Sequence, residues 1–99
     1  MKKVVYSGSP LGMYSEKNWK NFLNRFEEAE CIRSRKGNDY NYRIDHIISE
    51  NITARYTYYK NRKLQIRKND GSRIKVTVSG SKEGISDFEK IIEKAEKEY

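Results

Sequence analysis

Ninety-nine residues are enough for one domain and too few for two, and with 35% hydrophobic residues and a mean hydropathy of -1.03 the core must be thin. Apolar runs of two or three residues exclude a transmembrane helix, while 12% aromatic residues and a single proline are not the composition of a disordered chain. The net charge of +7 favours an anionic partner over a cationic one.

That charge is unevenly placed. Residues 1–30 hold five basic and four acidic groups, residues 31–81 hold twelve and four, and residues 82–99 hold four and six. A purely solubilising charge would be spread more evenly, so the middle of the chain is where an anion would bind. Near the N-terminus, Val4-Val5-Tyr6 after Lys2 and Lys3 is too short for a signal-peptide core. Cys31 is the single cysteine; it cannot form an internal disulfide, nor build a structural zinc site alone. A cytoplasmic location, no membrane partner and no cofactor are the expectations.

In chain order, Val4 to Tyr6 reads as a short first strand, followed by the turn-rich loop Ser7-Gly8-Ser9-Pro10-Leu11-Gly12. Ser15 is a good N-cap for a helix from Glu16 to about Glu30, on which Trp19, Phe22, Leu23 and Phe26 form one apolar stripe. Beyond it the period changes to two. Tyr42, Ile44, His46 and Ile48 alternate with polar neighbours, as do Ile52, Ala54, Tyr56 and Tyr58, then Leu64 and Ile66, then Ile74, Val76 and Val78. Three-residue loops at Ser49-Glu50-Asn51, Tyr59-Lys60-Asn61 and Asn69-Asp70-Gly71 predict the pairs Ile48–Ile52, Ile44–Tyr56, Tyr56–Leu64, Ala54–Ile66, Leu64–Val76 and Ile66–Ile74. A fourth such loop, Gly37-Asn38-Asp39, adds Cys31–Lys36 as a strand with Ile32 beside Ile44. Ser81 caps a last helix carrying Ile85, Phe88, Ile91, Ile92, Ala95 and Tyr99 on one side and mixed charges on the other.

The expected fold is a single α+β domain over residues 1–99. It is an antiparallel meander of four to five strands, plus a short N-terminal strand, with two helices packed on one face. The other face stays open and collects Arg33, Arg35, Arg43, Arg55, Arg67, Arg73 and Lys75, with Asn41, Gln65, Thr53, Thr57, Thr77, Ile47 and Tyr59 between them. Its one acid, Asp45, falls opposite Arg55. Arg33 is expected opposite Arg43 and Arg67 opposite Arg73, and like charges across a sheet cost about 0.2–1 kcal/mol per pair. Arginine's planar fork suits phosphate, and Tyr59 offers a ring for stacking on a base. A merely solvated face would more often mix Thr, Lys and Glu.

Chemistry points the same way by default. His46 reads as a structural histidine opposite Ala54, Cys31 lacks a local histidine partner, and no carboxylate pair or metal-ligand spacing stands out. The Ser7–Gly12 loop only loosely resembles an anion-binding strand–loop–helix unit. The expectation is a small non-enzymatic nucleic-acid-binding protein, DNA or RNA, using Arg33, Arg35, Arg43, Arg55, Arg67, Arg73, Lys75 and Tyr59. The alternative is a small interaction or inhibitor protein, such as a phage-type accessory or anti-defence factor. It would dock on an acidic protein or a nucleoprotein through anchors such as Tyr14, Tyr40 or Tyr59. The open edge and face also leave room for a homodimer.

Overall fold

Alternating apolar residues and short turns produce the sheet seen in the computed structural model, which describes residues 1–8, 12–37, 42–59 and 73–98. The elements are β1 (Lys2–Gly8), α1 (Glu16–Leu23), β2 (Glu30–Arg35), β3 (Tyr42–Ser49), β4 (Ile52–Tyr59), β5 (Arg73–Gly80) and α2 (Lys82–Glu96). The strands form one five-stranded antiparallel sheet in the order β1-β5-β4-β3-β2. Both helices pack on the same face, so the α+β class and the open second face follow the sequence pattern.

The β3–β4 hairpin keeps the expected register over most of its length, with Ile44 opposite Tyr56, Asp45 opposite Arg55 and His46 opposite Ala54. At its tip the register shifts by one, so that Ser49 rather than Ile48 lies opposite Ile52. The connection is thereby tightened to Glu50-Asn51, and Ile48 remains fully buried. The shift has a use: the Asn51 carbonyl accepts the Ser81 N–H at 3.2 Å, tying this turn to the start of α2.

β4 and β5 pair directly, Tyr56 with Val76 and Ala54 with Val78. Tyr56 and Ala54 therefore have strand partners on both sides, as do Val76 and Ile74, whose other neighbours are Tyr6 and Gly8. The expected pairs Tyr56–Leu64, Ala54–Ile66, Leu64–Val76 and Ile66–Ile74 are thus overturned; Leu64 and Ile66 themselves lie outside the described residues. The reason is that one alternating segment is as good a partner as another on local pattern alone, and β5 offers the longer apolar match. The N-terminal strand is also longer than Val4 to Tyr6 and closes the sheet beside β5.

α1 starts as expected, with Ser15 Oγ accepting the Asn18 N–H at 3.2 Å. It ends at Leu23, well short of Glu30. Arg25 and Phe26 donate to the carbonyls three residues back, Phe22 and Leu23, and this tighter winding turns the chain toward β2. Phe26 still reaches the core, its ring 5.5 Å from Phe22 and 6.0 Å from Phe88. In α2, Ser81 Oγ accepts the Gly84 N–H at 3.0 Å, and Ile85, Phe88, Ile92 and Ala95 are buried, whereas Ile91 sits at the exposed flank. Tyr99 lies outside the described residues.

The core joins Trp19, Phe22 and Leu23 of α1 to Ile44, Ile48, Tyr56, Ile74, Val76 and Val78 of the sheet and to the apolar side of α2. Tyrosine hydroxyls pin its margins: Tyr14 donates to Glu96 at 2.6 Å, Tyr42 donates to Glu16 at 3.0 Å, and Tyr56 donates to the Tyr14 carbonyl. Burial is the leading reason all three phenols are pushed up from their ordinary pKa, which keeps them protonated as donors.

Gly80 lies where β5 passes the Asn51 carbonyl, and a Cβ there would meet that oxygen at 2.1 Å. Backbone cannot yield as a flexible side chain can. Gly80→Ala is expected to destabilise the fold by about 1–3 kcal/mol, read as a lower urea midpoint with an unchanged slope.

Candidate functional site

The second face of the sheet is read from the register as rows running across the strands. One row is Arg35, Arg43, Thr57, Lys75 and Ser7; the next is Arg33, Asp45, Arg55, Thr77 and Val5; a third is Glu30, Ile47, Thr53, Ser79 and Lys3. Tyr59 and Arg73 are paired at the end of β4 and β5. Strands lie about 4.8 Å apart, so Arg35 and Arg43 are immediate neighbours and Lys75 is two strands beyond Arg43.

Every described residue of the expected arginine face is therefore on that face: Arg33, Arg35, Arg43, Arg55, Arg73, Lys75 and Tyr59. Arg67 lies outside the described residues, as do Asn41, Gln65 and Tyr40. The neighbours differ from expectation in β2. A bulge between Cys31 and Arg33 advances the strand by one residue. The strand is already offset by one residue ahead of the bulge, with Cys31 opposite His46, and the two displacements together put Arg33 opposite Asp45 and make Arg35 the arginine opposite Arg43. Ile32 is not beside Ile44; Ser34 is. Ile32 is 54% exposed and lines a shallow hollow of about 350 Å³ on the open face with Lys3, Asp45, Thr53, Arg55 and Thr77.

The charges on this face are partly organised. Arg55 Nε donates to Asp45 Oδ1 at 2.9 Å, and Arg33 is the register partner of Asp45 on the other strand. Arg43 Nε donates to Thr57 Oγ1 at 3.2 Å, so the guanidinium lies along the sheet, over a threonine only 3% exposed. The Arg73 guanidinium lies 5.5 Å from the centre of the Tyr59 ring, so one face of that ring already carries a cation. Arg35 differs from these. Its Nε is buried and has no hydrogen-bond acceptor, directly across from Arg43.

Two features escaped the sequence reading. The first is the contribution of β1, whose odd positions place Lys3, Val5 and Ser7 on the open face; the alternation was legible in Val4, Tyr6 and Gly8, but Val5 obscured it. The second is that Cys31 does have a histidine neighbour. Cys31 and His46 are register partners on the helix side of β2 and β3, and both line a hollow of about 450 Å³ with Lys20, Asn24 and Glu27. The Cys31 thiol points its weak donor at the Arg33 carbonyl, 3.8 Å away. His46 is 8% exposed and its Nδ1 has no partner. Among the described residues no group of three or more His, Cys, Asp or Glu side chains is placed to hold a metal. No helix of the described residues is long and apolar enough to cross a membrane. Of the Ser7–Gly12 loop, the Gly12 carbonyl accepts the Ser15 N–H at 3.0 Å and the Asn18 side-chain amide at 3.0 Å, a role in starting α1.

Burial lowers the His46 pKa below its ordinary 6.5, helped by the nearby Lys20 cation and opposed by Asp45. The unfolded chain then takes up this proton at higher pH than the folded one, so protonation favours unfolding. The melting temperature is expected to fall as pH drops from about 7 to about 5, and His46→Gln is expected to flatten that part of the profile. An identical slope in the variant would remove His46 as the cause.

No protein-family model, curated protein or solved structure matches this chain.

Proposed function

We propose that this protein binds nucleic acid along the open face of its sheet, with Arg33, Arg35, Arg43, Arg55, Arg73 and Lys75 contacting phosphates. The observation that carries this reading is the Arg35–Arg43 pair: two arginines at directly opposed strand positions, the first with a buried Nε that has no acceptor. Like charges across a sheet are unfavourable, and a buried donor without an acceptor costs about 1–3 kcal/mol. An anionic oxygen beside Arg35 would offset the like-charge cost, and a turn of the Arg35 side chain toward it would give the buried Nε an acceptor. A guanidinium presents its donors in the planar fork that phosphate oxygens match. Lys75 continues the same row, and Arg73 beside Tyr59 gives a cation and a ring where a base can be held.

Contacts of this kind position a backbone and carry little sequence information. Binding is therefore expected to be strongly salt-dependent and weakly sequence-specific. A second reading is favoured by a different observation: Val5, Ile32 and Ile47 are exposed aliphatics on this same face. They suit a protein partner with an acidic, partly apolar surface, in keeping with an interaction or inhibitor protein.

One titration separates the two. Short labelled single- and double-stranded DNA and RNA are followed by fluorescence anisotropy across a salt series, wild type beside Arg35→Glu/Lys75→Glu. For double-stranded DNA, each phosphate contact contributes about 0.9 to the slope of log K against log salt. The variant is expected to bind far more weakly and to lose about two contacts' worth of slope. Absence of binding to every oligonucleotide at low salt, or equal binding by the variant, overturns the nucleic-acid reading and favours the protein partner. Arg55 is left intact because its loss would strand Asp45.

A further inference from the structure

The two edge strands of the sheet are built differently. β2 is bulged at Ile32 and carries Glu30, Arg33 and Arg35, the devices by which sheet edges avoid pairing with other chains. β1 has no bulge, and it carries no charge beyond its first two residues. It pairs with β5 without a bulge over seven residues, from Lys2 opposite Gly80 to Gly8 opposite Ile74. Among the described residues its other edge meets no strand. Its two lysines are confined to one end, and Val5, at its midpoint, is 52% exposed on the open face.

We infer that β1 is a self-association edge, pairing antiparallel with β1 of a second copy about a twofold axis through Val5. In a regular strand the side chains alternate, so a twofold pair needs one residue facing its own copy. Centring on Val5 pairs the whole strand: Val5 meets Val5, Val4 meets Tyr6, Lys3 meets Ser7 and Lys2 meets Gly8. Apolar residues face apolar residues, and no lysine faces a lysine. Centring on Val4 puts Lys3 against Val5 and Lys2 against Tyr6 and leaves Ser7 and Gly8 unpaired. Centring on Lys3 sets lysine on lysine. Centring on Tyr6 leaves Lys2 and Lys3 unpaired, so only the Val5 register is complementary over the whole strand.

The axis is perpendicular to the sheet, so both pairs of helices lie on one side and both open faces on the other. The sheet doubles in width, from about 24 Å to about 48 Å. The row Arg35, Arg43, Thr57, Lys75 and Ser7 of one copy then runs into Lys3 of the second, and the basic face becomes continuous. This inference does not rest on nucleic-acid binding and is tested without it.

Sedimentation equilibrium on the full chain is expected to show a reversible dimer, and Val5→Lys, which places two cations face to face at an exposed position, is expected to shift it to monomer with an unchanged circular dichroism spectrum. Register is tested by cross-linking in a Cys31→Ser background, which removes the single native cysteine. Under mild oxidation Val5→Cys is expected to give a disulfide-linked dimer rapidly. Lys3→Cys, whose neighbour across the axis is Ser7, is expected to lag at least tenfold. A wild-type chain that stays monomeric at every concentration, a dimer that survives Val5→Lys, or equal cross-linking at the two positions overturns the inference.

Discussion

Tyr56 in the central strand is the contact on which the other layers depend. It is 1% exposed, its ring stacks 6.1 Å from Trp19 of α1 and 6.3 Å from Tyr42 of β3, and its hydroxyl reaches the carbonyl of Tyr14. Tyr14 is itself bonded to Glu96 of α2, so one residue links the sheet to both helices. Burying a large side chain of this kind stabilises by about 1.5–3 kcal/mol, more than any single polar contact on the surface. With both helices drawn to the face that Tyr56 occupies, the opposite face is left to arginine, lysine and threonine.

The magnitudes on that second face are small and oppose one another. An exposed ion pair such as Arg55–Asp45 contributes about 0–1 kcal/mol, and the Arg35–Arg43 opposition costs about 0.2–1 kcal/mol. These two charge contributions nearly cancel, so packing on the helix side decides the fold. The acids of α2, including Glu83, Asp87 and Glu93, are exposed on the helix layer. The molecule therefore has a basic side and a more acidic one.

Local pattern determined much of this. The alternation from Tyr42 to Tyr58 fixed the β3–β4 pairing, because a short turn between two strands leaves few registers that keep Ile44, His46, Ala54 and Tyr56 on one face. The caps Ser15 and Ser81 and the stripe from Ile85 to Ala95 were equally legible, since they depend on residues a turn or two apart. The same alternation placed Arg33, Arg35, Arg43, Arg55, Arg73 and Lys75 on the open face, so the make-up of the candidate site was readable before its geometry.

Tertiary structure decided which neighbours those residues have. Pairing of β4 with β5 and of β1 with β5 joins segments far apart in the chain, and the period of two is identical for every candidate partner, so side-chain alternation could not choose between them. A one-residue offset of β2 brought Cys31 to His46, and the bulge at Ile32 added a second, so that Arg35 instead of Arg33 lies opposite Arg43. A bulge has no signature in the alternation until the strand beside it is known. Away from the bulge at Ile32, the sequence by itself determined which side chains lie on each face of the sheet, because alternation is a property of one strand; only the folded sheet decided which of them touch, because contact across strands is set by register.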